Sequence, residues 1–275
     1  MKKISNFGFI IEINLKMKKF FSFLLLVTVL LAGSVVAEAK TSKTKSKGKS
    51  AASSVLPVIQ GETKKYGDYL TTRIFTIKKG KDNEVSVEYP VSGDTRLVNA
   101  IRQFIKDNLN EKYTGSLETP ESLLRSVMKG ISRQESLEEE IQVIYANPTV
   151  VTYGIEGYEY AGGAHGMGWR YGKTFLVENG GSLDESMLPS FSTMRSYILK
   201  GMANKMNMSE SDVIDGFFDS ESLDHYGDIM ITDEGIDIIY QPYDLGPWSS
   251  GIFESVIPIS EVYNLMPADA QKFMK

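Results

Sequence analysis

Two histidines, His165 and His225, are the whole imidazole supply of this 275-residue chain, and it contains no cysteine. His165 sits in Gly162-Gly163-Ala164-His165-Gly166 and His225 in Leu223-Asp224-His225-Tyr226-Gly227. A zinc site wants three or four N, S or O ligands in close array, with spacings such as H-E-x-x-H, and neither setting supplies one. Without cysteine there is no disulfide framework, no CxxC redox pair and no thiolate metal site. Nucleophile signatures are equally thin. No G-x-S-x-G elbow occurs, and an S-x-x-K at Ser42-Lys43-Thr44-Lys45 lies in a low-complexity stretch unable to hold it against a substrate. Neither a G-x-G-x-x-G nor a G-x-x-x-x-G-K-[ST] phosphate loop is present. Carboxylates, by contrast, crowd one stretch: Asp212, Asp215, Asp219, Glu221, Asp224, Asp228, Asp233, Glu234 and Asp237. A glycosidase needs two carboxylates held about 5–9.5 Å apart, a condition an acidic stretch meets by chance. No EF-hand pattern fits either. The expectation is no catalytic residue, no metal and no cofactor, with a solvated acidic face or an electrostatic surface for a basic partner as the readings of the carboxylates.

Aromatics offer a second kind of chemistry. Tyr158-Glu159-Tyr160-Ala161-Gly162-Gly163-Ala164-His165-Gly166 and Tyr240-Gln241-Pro242-Tyr243-Asp244-Leu245-Gly246-Pro247-Trp248 place rings among glycines and prolines, too broken for a helix interior. Tyr and Trp presented by turns suit sugar stacking or a protein interface. Tyr160, His165, Trp169, Tyr243 and Trp248 are therefore the candidate ligand- or partner-binding residues. The plainer alternatives stay open: His165 holding its loop, and the aromatics covering the end of a sheet.

The elements that must position these loops follow from periodicity. Tyr69–Ile77 and Glu84–Tyr89 read as strands, rich in β-branched and aromatic residues. Asp94 caps a helix whose stripe is Leu97, Val98, Ile101, Phe104, Ile105 and Leu109. Thr119-Pro120 opens another through Leu123, Leu124 and Val127. Glu140–Tyr145, Thr149–Tyr160 and Trp169–Val177 read as strands, followed by helices over Phe191–Met206 and Ser209–Phe218. Ile229–Thr232 and Gly235–Tyr240 form a hairpin, Ser255–Pro258 a further strand, and a short helix follows Ser260. Strands and helices come in blocks, which predicts an α+β fold of two lobes with mainly antiparallel sheets and packed helices, rather than a doubly wound sheet.

The N-terminus reads as a secretory leader. Lys18-Lys19 precedes an apolar run from Phe20 to Leu31, and Ala37-Glu38-Ala39 supplies an A-x-A site. The expected division is a signal peptide over 1–39, a disordered basic linker over 40–60, an N-terminal α+β lobe over 61–150 and a C-terminal α+β domain over 151–275. Met17-Lys18-Lys19 is a natural alternative start. Read generously to Ala37, the run reaches the roughly 18 residues of a spanning helix, so a retained anchor is the other reading of the leader. Ser34 stands where a lipoprotein would need its cysteine, so lipid anchoring is excluded. A periplasmic or extracellular product with no stable membrane span after cleavage is expected. From Tyr66 onward the chain holds 18 Lys+Arg against 32 Asp+Glu, a net charge of −14, while Lys40–Lys65 carries +6. Phosphate binding needs clustered cations, which argues against nucleic acid as partner of the acidic part.

The paired aromatic segments, about 80 residues apart, resemble the domain of unknown function 3298, the C-terminal ectodomain of RsiV-type anti-sigma factors. That domain also accompanies some peptidoglycan deacetylases. The similarity covers about Tyr153 to Met266, and Tyr66 to Asn147 more loosely resembles the companion domain that usually precedes it. The resemblance implies a two-lobed α+β ectodomain that, in the anti-sigma members, binds lysozyme; in the deacetylases catalysis belongs to a separate domain not seen here. No sigma-binding segment or internal membrane helix is recognised in this chain, so a binding function is what the resemblance leaves. The leading expectation is a secreted or periplasmic, non-catalytic binding module of the cell envelope, its partner a cationic protein such as lysozyme or peptidoglycan fragments. Alternatives are a cell-wall glycan hydrolase working through carboxylates such as Asp224 or Asp244, and a purely structural envelope protein.

Overall fold

The computed structural model describes residues 55–132 and 134–274. The expected leader, the alternative start at Met17 and the basic tether as far as residue 54 lie outside the described residues. The described residues form one compact unit.

The unit is α+β. Its larger sheet has six strands in chain order: β1 (Val58–Tyr66), β2 (Leu70–Lys78), β3 (Asn83–Gly93), β4 (Ser136–Ala146), β5 (Val150–Tyr160) and β6 (Met167–Leu176). All neighbours are antiparallel except β3 and β4, which run parallel. A parallel pair needs a crossover. Two helices supply it, α1 (Thr95–Asn110) and α2 (Glu121–Gly130). The side chain of Asp94 caps α1 by accepting from the backbone N–H groups of Arg96 and Leu97. The stripe predicted for α1 is the one that buries: Leu97, Val98, Ile101 and Ile105 meet Val85, Val87, Ile141 and Ile155 in one core on the helix-bearing face of the sheet.

β1 begins inside the segment read as linker, and the boundary expected near residue 150 falls at the β4–β5 turn of this single sheet. Only the other end of the sheet feeds the second core. There Val150 and Leu176 join α3 (Phe191–Met206), the short α4 (Glu210–Ile214) and a three-stranded antiparallel sheet of β7 (Asp228–Ile231), β8 (Ile236–Tyr240) and β9 (Phe253–Ile257). The chain then closes through α5 (Ile259–Val262).

β8 alternates Ile236, Ile238 and Tyr240 towards α3 with Asp237 and Ile239 on the opposite face, the period-two consequence of strand geometry. That opposite face turns to the helix-free side of the larger sheet. The joint is polar and buried: Thr152 Oγ1 donates to the carbonyl of Ile231 at 2.6 Å, and the Ile231 N–H donates to Thr174 Oγ1 at 2.8 Å. The two threonine hydroxyls are themselves 2.8 Å apart. Among the described residues no helix is long and apolar enough to cross a membrane.

Candidate functional site

Two loops carry most of the residues singled out in the sequence. The β5–β6 loop turns through Gly162 and Gly163, at φ 94° and 101°, a backbone region in which only glycine sits without strain. Tyr160 Oη donates to the Gly163 carbonyl at 3.0 Å, and His165 Nδ1 lies 3.0 Å from the Gly166 carbonyl. The β8–β9 loop turns sharply after Pro242: the Tyr243 N–H donates to the Gly246 carbonyl, and Asp244 accepts from the Gln241 N–H at 2.7 Å. Tyr243 pays with a φ of 79°, strain on the order of 1–3 kcal/mol for a bulky side chain.

The loops meet. His165 stacks on Trp248, with centroids 4.0 Å apart and planes 24° from parallel. Gln241 docks the second loop on β6 by pairing with the backbone of one residue: its Nε2 donates to the Arg170 carbonyl at 2.7 Å and its Oε1 accepts the Arg170 N–H at 3.3 Å. Nε2 also reaches Asp228 at 3.0 Å. Behind the loop, the Phe218 N–H donates to the Leu245 carbonyl at 2.7 Å. Four exposed aromatics lie on or next to these two loops. Phe218 is 57% exposed, Tyr243 51%, Tyr158 42% and Trp248 36%. Trp169 lies elsewhere, over Gly157, where an added Cβ would come within 2.5 Å of the indole. By strand alternation it faces opposite to Arg170, and it packs against the first core. Tyr158 and Phe218 were not among the predicted residues; Tyr158 opens the first aromatic segment, whereas Phe218 lies at the end of a helical pattern that gave it no exposed role.

Beside these loops, between the two sheets, runs a groove of about 220 Å³. Glu140, Glu156 and Arg170 form its floor, in register across β4, β5 and β6. Asp237 and Glu254, from β8 and β9, form its wall. Glu254 pairs with Arg170 and with Lys205 of α3. Burial pushes the Glu254 carboxyl up, but Arg170 and Lys205 outweigh it and hold it below its ordinary value. Asp237, only 7% exposed, is pushed up to about 7, first by burial and then by the charge of Glu254. Glu140 is raised by burial and then by Glu156 across the strand pair.

The carboxylates named from sequence as hydrolytic candidates do not line this groove. Asp224 is exposed and bonds His225 at 2.6 Å, and Asp244 is spent on the turn at Gln241. Asp237 and Glu254 stand on neighbouring strands, β8 and β9, and the charge of Glu254 adds to burial in raising Asp237. Among the described residues no cluster of three or more His, Asp or Glu has the arrangement to hold a metal ion.

Residues 189–260 match the family model described as protein of unknown function (DUF3298). The match includes the β8–β9 aromatic loop and stops short of the β5–β6 loop. A crystal structure of a DUF3298 member from Bacteroides fragilis is similar at a TM-score of 0.58 and 17% identity, over 80% of this chain and 97% of that one. A DUF3298 protein from Pseudomonas aeruginosa is similar at 0.51 and 15% identity, over 78% and 96%. At such identities the likeness is one of fold. The resemblance read from the two aromatic segments is thus met by the family model over the second and by the shared fold over most of the chain. No curated protein matches the chain.

Proposed function

We propose that this protein is a secreted or periplasmic, non-catalytic binding module of the cell envelope, which captures its partner on the surface formed by the β5–β6 and β8–β9 loops. The observation that carries the reading is the His165–Trp248 stack with its exposed aromatic neighbours. Rings held in place by turns lose little conformational freedom on binding, which suits them to be anchors. Tyr243 adds to this, since a strained backbone that presents an exposed ring is more often kept for recognition than for stability.

The charge of −14 from Tyr66 onward favours a cationic protein as partner, lysozyme being the one the family resemblance suggests. Peptidoglycan fragments, whose sugars stack on exposed Tyr and Trp, are the other ligand of this chemistry. The test is calorimetric titration of the purified protein with lysozyme at low and at physiological salt. Saturable 1:1 binding that persists at physiological salt, and that weakens by about 1–3 kcal/mol for each of Tyr243→Ala and Trp248→Ala, is the expected result. Binding that vanishes with salt, or that ignores a correctly folded double variant, removes lysozyme or these loops respectively; peptidoglycan fragments then take the place of lysozyme in the same titration.

A further inference from the structure

The groove between the sheets holds more acceptor chemistry than the protein satisfies. Asp237 is more than nine-tenths buried, lines the groove and leaves Oδ1 without a hydrogen-bond partner. A buried acceptor left unmet costs about 1–3 kcal/mol, so it calls for a donor from outside. Glu140 and Glu156 face each other across the floor with Arg170 next in the row. Arg170, however, is engaged by Glu254, and so is Lys205, which also reaches Glu234 at 3.4 Å. Once ionised, the four carboxyls outnumber the one committed guanidinium of the lining, an excess of negative charge that rejects an anion and attracts a cation. A metal ion does not fit, because the carboxylates are strung along the groove rather than converging on a point. The rest of the lining is mainly apolar, with Ile144, exposed on β4, and Met230 on β7 beside Gly154, Ile155 and Tyr171, and with Gln142 as its one uncharged amide. An ion with N–H donors at one end and hydrocarbon behind it matches both surfaces.

We propose that this groove binds an alkyl-ammonium group, its N–H donors taken by Asp237 and Glu156 and its methylenes laid on Ile144 and Met230. The site is separate from the aromatic loops and does not rest on their reading. The ammonium has two natural sources, a free aliphatic amine or a lysine side chain of a peptide, and the groove's volume of about 220 Å³ admits a short chain of either. Binding is also tied to pH. Asp237 accepts an ammonium only once its own proton has left, and burial and Glu254 keep that proton on up to about 7. The other charges facing it are Arg170 on β6 and Lys205 on α3, with Glu140 and Glu156 on the floor.

The experiment is calorimetric titration of the purified protein with 1,5-diaminopentane and, in a second arm, with N-acetyl-lysine methylamide; 1,5-pentanediol serves as the uncharged control. Saturable binding of an amine, tighter at pH 8 than at pH 6, with no response to the diol, is the expected result. Saturation by the diamine alone identifies a free amine, and saturation by both identifies the lysine side chain as a ligand as well. Asp237→Asn is expected to weaken binding about tenfold and to flatten its pH dependence. Glu156→Gln, at an exposed strand position that the fold does not need charged, is expected to weaken it by a smaller factor while leaving the circular dichroism unchanged. Absence of saturation by either amine in the unaltered protein overturns the proposal. So does an affinity that both variants leave intact.

Discussion

Tyr243 sets two demands against each other at one residue. Its φ of 79° suits glycine and burdens tyrosine, and its ring is half exposed, so only half of it can offset the strain by packing. If the ring serves recognition, Tyr243→Gly separates the two effects. The variant is expected to unfold at an equal or higher temperature, because the left-handed turn loses its strain of order 1–3 kcal/mol against glycine's greater unfolded-state entropy. Partner affinity should fall at the same time. A variant that melts several degrees lower would show that the ring stabilises the loop, returning Tyr243 to a structural role. His165 is the companion case, since it stacks on Trp248 at 4.0 Å while its Nδ1 stands 3.0 Å from the Gly166 carbonyl. Of its two sequence readings the geometry bears on loop fixation, since the imidazole braces the indole, while surface recognition belongs to the proposed partner titration.

At the scale of elements, the joint between the sheets is the sharpest prediction. Thr174 accepts the N–H of Ile231 and lies within hydrogen-bond reach of Thr152, all three fully or almost fully buried. Thr174→Val keeps the shape and strands that N–H, for which a loss of about 1–3 kcal/mol is expected in urea unfolding. Asp94→Ala, which removes both cap bonds of α1, is expected to cost about 0.5–2 kcal/mol. A Thr174→Val protein as stable as the original would mean that β7 shifts to another partner. The Asp94 cap was legible because capping is local, and α3 because its apolar positions recur at helical spacing over 16 residues. β1 was not, because all but its ends and Lys64 is exposed along an edge, leaving no alternation to read. The parallel β3–β4 pair was hidden by the two helices between its strands, as pairing partners far apart in sequence leave no local trace. The groove escaped for the same reason. Arg170, Asp237 and Glu254 lie on three strands, and each alone looks like a surface charge in an acidic chain. The aromatic loops could be named but not joined: the sequence supplies His165 and Trp248, while their stacking depends on Gln241 fastening one loop to β6.

For the whole molecule the buried carboxyls fix how stability answers to pH. Asp237 and Glu139 are raised to about 7, and Glu140 and Asp228 are raised too, each chiefly by burial. A carboxyl raised by folding holds its proton more tightly in the native state than in the unfolded chain. Its contribution is complete below the unfolded value near 4 and is lost as pH climbs through the folded value near 7. The lowered carboxyls, Asp94, Asp107, Asp184 and Glu121 by hydrogen bonds and Glu254 by Arg170 and Lys205 against its burial, act in the opposite sense. Their contribution is present above the unfolded value and disappears only in acid. The two sets together place maximum stability near pH 5, with a decline towards pH 8 to which Asp237 alone contributes on the order of 2–4 kcal/mol. The net charge of −14 adds self-repulsion over the same range. Urea midpoints at about pH 5 and about pH 8 test this, and Asp237→Asn should recover much of the loss at the higher pH, because an amide has no proton to surrender. A profile that rises from pH 5 to pH 8 would mean that the groove opens to water and ionises Asp237 without penalty. An alkyl-ammonium ligand should in turn reverse the decline, since it binds the ionised form that the empty groove disfavours. The steeper the unliganded decline, the more of its binding free energy such a ligand must spend on removing Asp237's proton, so that the stability profile and the pH dependence of amine binding are two readings of one ionisation.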